Sequence, residues 1–208
     1  MNVLEAYTEW SQTYDEDRNL TRDLDEEVMR RTFAGMKYGT VLELGCGTGK
    51  NTALLAQIAD SVQAVDFSAA MIERARRRAS FNNVTFIIGD LTKPWPVADS
   101  AINLITCNLV LEHIENLQFI FAEAGRVVAR GGHFFVSELH PFRQYRGTQA
   151  RFERDGQTHK ITAFVHDVTD FIDAALNNNL TLETIKEGRH AEDKDKPPRL
   201  ISFLFKKR

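Results

Sequence analysis

The segment Glu43-Leu44-Gly45-Cys46-Gly47-Thr48-Gly49 constrains this chain more than any other. It follows a run of strand character over residues 40–45 (TVLELG) and opens a helix over residues 50–59. Glycines at such a junction let the backbone turn sharply and come close to a ligand. From there the pattern alternates. Strands are expected over 61–66, 84–89, 101–107 and 133–139, with helices over 69–79 and 116–129 between them. Leu117, Ile120, Phe121, Ala124 and Val128 give the 116–129 helix one apolar face. Strands alternating with helices imply right-handed crossovers and a mostly parallel α/β sheet.

Two ligand classes suit the glycine loop, dinucleotides and S-adenosylmethionine. A dinucleotide fingerprint is G-x-G-x-x-G. Its third glycine would fall at position 50, which is Lys50, so the spacing here is G-x-G-x-G. Glu43 sits two residues before the first glycine, where its carboxylate would repel a pyrophosphate. The same carboxylate attracts the ammonium and sulfonium of S-adenosylmethionine. The bland alternative is a tight turn with no ligand.

Two further acidic residues end strands. Asp66 lies about 20 residues on, where a carboxylate accepts from ribose hydroxyls. That feature is shared with nicotinamide sites, and Asp66 or Ser68 would equally cap the next helix. Phe67 and Met71 follow, as core residues or against an adenine face. Asp90, in Gly89-Asp90-Leu91, suits an adenine amino group, although Gly-Asp is also common turn chemistry.

The N-terminal residues 1–37 read as a helical cap, with helices over 3–10 and 20–36. Residues 140–166 interrupt the alternation and carry a hairpin signal at Asp155-Gly156. An insertion there lies over the carboxyl ends of the strands and reads as a lid that selects the acceptor. Tyr145, Arg143, Arg146 and Arg151 in it would suit an anionic group or a solvated loop face. A helix over 168–176 and strands over 180–186 and 200–206 complete one domain, 1–208.

These residues resemble the class I S-adenosylmethionine-dependent methyltransferases, in particular the small-molecule "type 11" branch. VLELGCGTGKNT, AVDFSAAMIERAR, FIIGDLTKPWPVADSAINLITCNLVLEHIEN and GRVVARGGHFFVSELHP carry the resemblance over residues 38–141. It implies a Rossmann-like sheet of seven strands, the last antiparallel, in the order 3-2-1-4-5-7-6, with helices on both faces. It implies that Glu43, Gly45, Cys46 and Gly47 hold the methionyl part of S-adenosyl-L-methionine, Asp66 the ribose, and Asp90 with Leu91 the adenine. Asn108 would offer a backbone carbonyl to the cofactor ammonium, and Tyr14 would close over the cofactor.

Methyl transfer from a sulfonium is an in-line displacement that chiefly needs positioning. A base is added where the acceptor loses a proton. His113 and His140 are the leading catalytic candidates, with Glu138 and His166 behind them. Each histidine has an ordinary local alternative, a helix-start or turn residue. No His/Cys/carboxylate group has metal-ligand spacing, so no metal is expected.

A net charge of −3 argues against a broad nucleic-acid footprint. Arg74, Arg76, Arg77 and Arg78 read as helix C-terminal cations. After the fourth expected strand the chain has Asn108-Leu109-Val110-Leu111 and lacks the Asp/Asn-Pro-Pro-aromatic motif of base-methylating enzymes. No apolar run approaches the roughly 18 residues of a membrane span. With two cysteines, Cys46 and Cys107, no disulfide framework is implied. The expectation is a cytoplasmic enzyme, monomer or homodimer, acting on a small molecule without nucleic-acid or membrane partners. Rival readings are an RNA or protein methyltransferase, a nicotinamide oxidoreductase and a non-catalytic S-adenosylmethionine-binding protein.

Overall fold

The computed structural model describes residues 2–78, 81–154 and 156–208. Helix α1 (Val3–Trp10) starts at Asn2, whose side chain accepts from the Glu5 N–H while Glu5 reaches back to the Asn2 N–H. Helix α2 (Leu20–Thr32) is capped by Asn19, whose side chain accepts from the Thr21 and Arg22 N–H groups. It stops four residues short of the expected end. Phe33 leaves helical geometry and Gly35 takes φ +75°, a left-handed turn.

The body follows in alternation: β1 (Tyr38–Leu44), α3 (Thr52–Ile58), β2 (Ala59–Asp66), α4 (Ala69–Arg78), β3 (Val84–Ile88), β4 (Ile102–Asn108), α5 (Leu117–Val127) and β5 (Val128–Leu139). Residue 79, the expected last residue of α4, lies outside the described residues. A short α6 (Pro141–Tyr145), the hairpin strands β6 (Arg151–Arg154) and β7 (Gln157–Lys160), and then α7 (Val168–Leu176), β8 (Leu180–Gly188) and β9 (Leu200–Lys207) complete the chain. The main sheet has seven strands in the order β3-β2-β1-β4-β5-β9-β8. Setting the separate hairpin aside, this is the expected 3-2-1-4-5-7-6 pattern. β9 runs antiparallel to both β5 and β8, and the other pairs are parallel.

Successive strand residues point to opposite faces, which splits the core in two. Leu42, Leu44, Ile105, Cys107, Phe134 and Val136 pack under α5 and α7. Val41, Leu104, Phe135 and Val62 pack on the other face against Met29 and Phe33 of α2, Leu55 of α3 and Ile72 of α4. Central strands buried on both faces explain why they read as near-continuous apolar runs. β5 starts five residues earlier than expected, because the backbone pairs through Gly131-Gly132 with an irregular register opposite Ile102 and Leu104. The hairpin exists where Asp155-Gly156 signalled it. Asp155 itself lies outside the described residues.

Candidate active site

At the carboxyl ends of β1, β2 and β4 lies a cavity of about 450 Å³, within the usual size for a small ligand. The glycine loop forms its floor. Gly45 has φ +68°, and a side chain there would meet Val110 Cγ2 at 2.2 Å. Gly47 has φ +54° and open space where a side chain would stand. The loop therefore offers bare backbone to the cavity.

Asp66 fixes that loop. Its Oδ2 accepts from the Gly47 N–H at 2.9 Å and its Oδ1 from the Ser68 N–H at 2.8 Å. The helix cap belongs to Ser68, whose Oγ accepts from Met71 N at 3.4 Å. Asp66, Phe67, Met71, Asp90, Leu91 and Asn108 all line the cavity, as do Tyr14, Gly45 and Gly47. Asp90 Oδ1 also accepts from the Thr92 N–H and hydroxyl, and these bonds hold its pKa below the ordinary value.

Glu43 and Cys46 do not line the cavity. The Glu43 carboxyl stands behind the glycine loop and accepts from Thr52 Oγ1 at 2.5 Å. Burial, with Asp66 and Asp25 nearby, pushes it up to about 8. The Cys46 thiol is buried and pushed well up for the same reason. Asp25 had no signal in the sequence, yet this buried residue of α2 accepts from Asn108 Nδ2 at 2.8 Å and Asn51 Nδ2 at 2.9 Å. Burial raises its pKa too. Three buried carboxyl groups around one bare loop make a place suited to a cation and hostile to a phosphate.

The roof is α1. Asn2, Val3, Leu4 and Tyr7 line the cavity from above. Tyr14 closes one side, with the Arg22 guanidinium 3.9 Å over its ring. Asp15 ties this cap to the body by accepting from Thr48 Oγ1 at 2.7 Å and Arg78 at 2.8 Å.

His113 lies in a 3₁₀ turn after β4 (Leu111–His113) and lines the cavity. Its Nδ1 is 2.7 Å from the Thr162 carbonyl, which only accepts, so Nδ1 carries the proton. Nε2 is then the free lone pair, and the Tyr7 hydroxyl donates to it at 2.9 Å. Burial holds the imidazole below its ordinary pKa, so it is neutral. Tyr7 was missed because, beside Ala6 and Trp10, it reads as part of the apolar stripe of α1.

His140, a leading catalytic candidate by sequence, is not brought to the cavity. It caps α6, its Nδ1 accepting from Phe142 N at 3.2 Å, while Nε2 donates to Glu187 at 3.1 Å. Its ring stacks on Phe142. His166 is buried with Nε2 on the carbonyls of Leu111 and Ile114. Glu138 is also structural, its Oε1 accepting from the Val110 and Leu111 N–H groups at 3.0 and 2.8 Å.

None of the described residues of the 140–166 segment lines the cavity. Arg143, suited by sequence to an anionic group or a solvated loop face, is instead spent on Asp193 and the Pro197 carbonyl. The hairpin instead packs on α1. Trp10 stacks on Phe152 with centroids 5.7 Å apart, and Ala6 and Ile161 complete the contact. Among the described residues no cluster of three or more His, Cys, Asp or Glu side chains is placed to hold a metal ion. Among the described residues no helix is long and apolar enough to cross a membrane. The four arginines of α4 are each engaged, with Gln12, Phe86, Glu73 and Asp15 respectively.

A family model described as a methyltransferase domain matches residues 42–136. The malonyl-[acyl-carrier protein] O-methyltransferase of Halorhodospira halophila is 30% identical over 200 residues, covering 90% of this chain and 67% of that enzyme. The chain belongs to the class I S-adenosylmethionine-dependent methyltransferases. The demethylmenaquinone methyltransferase of Tropheryma whipplei is 29% identical over 147 residues, which covers 68% of this chain. The match spans 61% of that relative's own length. The family's fold is shared with an S-adenosylmethionine-dependent methyltransferase from Mesorhizobium loti (TM-score 0.73, 18% identity, 91% of this chain and 100% of that one). It is shared also with the DhpI–SAH complex (TM-score 0.75, 23% identity, 99% and 95% of the two chains). The residues of this methyltransferase fit the family's cofactor. The loop offers backbone bare of side chains, Asp66 lines the cavity, and the buried carboxyls complement a cation.

Proposed function

We propose that the chain transfers a methyl group from S-adenosylmethionine to a small molecule that gives up a proton as it reacts. The cofactor supplies an activated methyl group when bound. Gly45, Gly47 and the Asn108 carbonyl hold its amino-acid end, Asp66 the ribose, Asp90 and Leu91 the adenine, with Phe67 and Met71 as apolar walls. Glu43 and Cys46 act from behind the loop, Glu43 through its charge and Cys46 through packing. Tyr14 and α1 exclude water from above.

The single observation that carries the acceptor chemistry is the Tyr7–His113 hydrogen bond, 2.9 Å long, in the wall of the same cavity. The acceptor's proton passes to Tyr7 as the Tyr7 proton passes to His113 Nε2. The Thr162 carbonyl keeps the ring in the tautomer that receives it. The rest of the wall is Asn2, Val3, Leu4, Thr92, Leu109, Val110 and Ile114, and among its described residues there is no Lys or Arg. This favours an uncharged acceptor with a modest apolar body. Two relatives named for different acceptors mean that kinship fixes the methyl donor and leaves the acceptor to these walls.

Residues 1–37 act as the cap, and 140–166 as a clamp that holds the cap from outside. The experiment is incubation with methyl-labelled S-adenosylmethionine and separate small-molecule, RNA and protein extracts. Label is expected in the small-molecule fraction, and His113→Gln should lower it by at least about 10²-fold, the usual worth of a general base. Label confined to RNA or protein contradicts the reading.

A further inference from the structure

Beside the Tyr7–His113 pair stands a side chain without an evident occupation. Glu112 is buried, its side chain 7% exposed, and its Oε2 has no hydrogen-bond partner among the described residues. Most buried side-chain polar atoms have a hydrogen-bond partner, so one without calls for an explanation. Glu138 also leaves its Oε2 unpartnered, but its Oε1 holds the Val110 and Leu111 N–H groups in place. Glu112 is just as well fixed through its backbone, where its carbonyl accepts from Phe164 N at 2.7 Å. Its carboxyl has no comparable task. Oε1 lies 3.9 Å from His113 Nε2, too far for a hydrogen bond and close enough for a charge pair.

His113 Nε2 is the atom on which the acceptor's proton would arrive. Once it does, both ring nitrogens carry hydrogen and the ring is a buried cation. Nδ1–H already points at the Thr162 carbonyl. Within reach of Nε2 the compensating charge can come from Glu112.

We infer that Glu112 is a positioning residue of the acceptor site, its carboxylate serving as the counter-charge that lets His113 hold the proton taken through Tyr7. The inference rests on the methyltransferase reading. The proton balance is closed. The acceptor's bond to hydrogen breaks, its electron pair stays on the acceptor atom, Tyr7 oxygen gains that proton and gives its own to Nε2. Tyr7 ends neutral, and His113 and Glu112 form an ion pair.

The groups facing Glu112 are His113 on its own turn, Glu138 from β5 and Tyr7 from α1. His166, from the segment before α7, binds the carbonyls on either side of that turn. Burial pushes Glu112 up to about 7. Burial and then Glu112 itself push Glu138 up to about 8. A cation at His113 favours the ionisation of Glu112, and the two groups titrate as a pair.

The test is the titration of His113 in the complex with S-adenosylhomocysteine, followed by nitrogen-15 spectra of labelled histidine and assigned with His113→Gln. In Glu112→Gln the His113 pKa is expected to drop by about half a unit or more, a size readily resolved against ordinary histidine values. The Nδ1–H tautomer should persist. Glu112→Asp, which keeps a charge but withdraws it, is expected to fall between the two. S-adenosylhomocysteine affinity should be unchanged in both variants, which separates the loss of charge from a damaged fold. An unchanged His113 titration in Glu112→Gln, or in Glu112→Asp should the first variant not fold, overturns the inference. Failure of the unaltered chain to bind S-adenosylhomocysteine overturns the methyltransferase reading itself.

Discussion

Asp66 does two things at once. Its oxygens pin Gly47 and Ser68, and it lines the cavity. Asp66→Ala should therefore lower S-adenosylhomocysteine affinity at least about tenfold, since each charge-assisted hydrogen bond is worth about 1.5–3 kcal/mol. Calorimetric titration checks this, and an unchanged dissociation constant would show that the ribose lies elsewhere. Asp66 was legible because its place, the tip of the strand after the glycine loop, is set by local chain order. Asp25, Glu112 and Tyr7 were not legible as a set. The Tyr7 hydroxyl meets a ring 106 residues away, and only the folded sheet brings α1 across the turn after β4. His140 misled for a related reason. Proximity to a strand end was visible, whereas the N-cap of α6 and the partner Glu187 were not.

The elements around the sheet divide the labour differently from the sequence reading. A lid was expected from residues 140–166. The structure instead makes α1 the roof and sets the β6–β7 hairpin on its outer side, through Trp10 and Phe152. The hairpin can then influence the site by holding α1 down. Phe152→Ala removes the stacked partner of Trp10 while leaving the main core clusters intact. It should speed proteolytic cleavage within the first 20 residues and loosen S-adenosylhomocysteine several-fold, with little change in the melting of the body. Cleavage at the unaltered rate would mean that α1 is held by its contacts to the sheet alone. The main strands and their helices were legible from periodicity, with ends displaced by a few residues where Gly35 and Gly131-Gly132 acted against their surroundings.

At the scale of the whole molecule, strand order and charge converge on one end of the sheet. The crossovers leave β1, β2 and β4 ending together, and α2 adds Asp25 from the cap. Burial raises Asp25, Asp66 and Glu43, Glu43 to about 8. A carboxyl with a raised pKa favours its neutral form until a cation arrives, and a cation binds better once the carboxyl is ionised. Affinity for a ligand bearing an ammonium group should therefore climb as pH rises through the raised values. A pyrophosphate ligand should show the opposite slope. The most direct test of the account is calorimetric titration with S-adenosylhomocysteine and, separately, NADH, from about pH 6 to pH 8, a window that starts above the ordinary carboxylate pKa values. The account predicts micromolar binding of S-adenosylhomocysteine that strengthens several-fold across that range, and no binding of NADH. Binding of NADH, or of S-adenosylhomocysteine more tightly at the acid end, would contradict it.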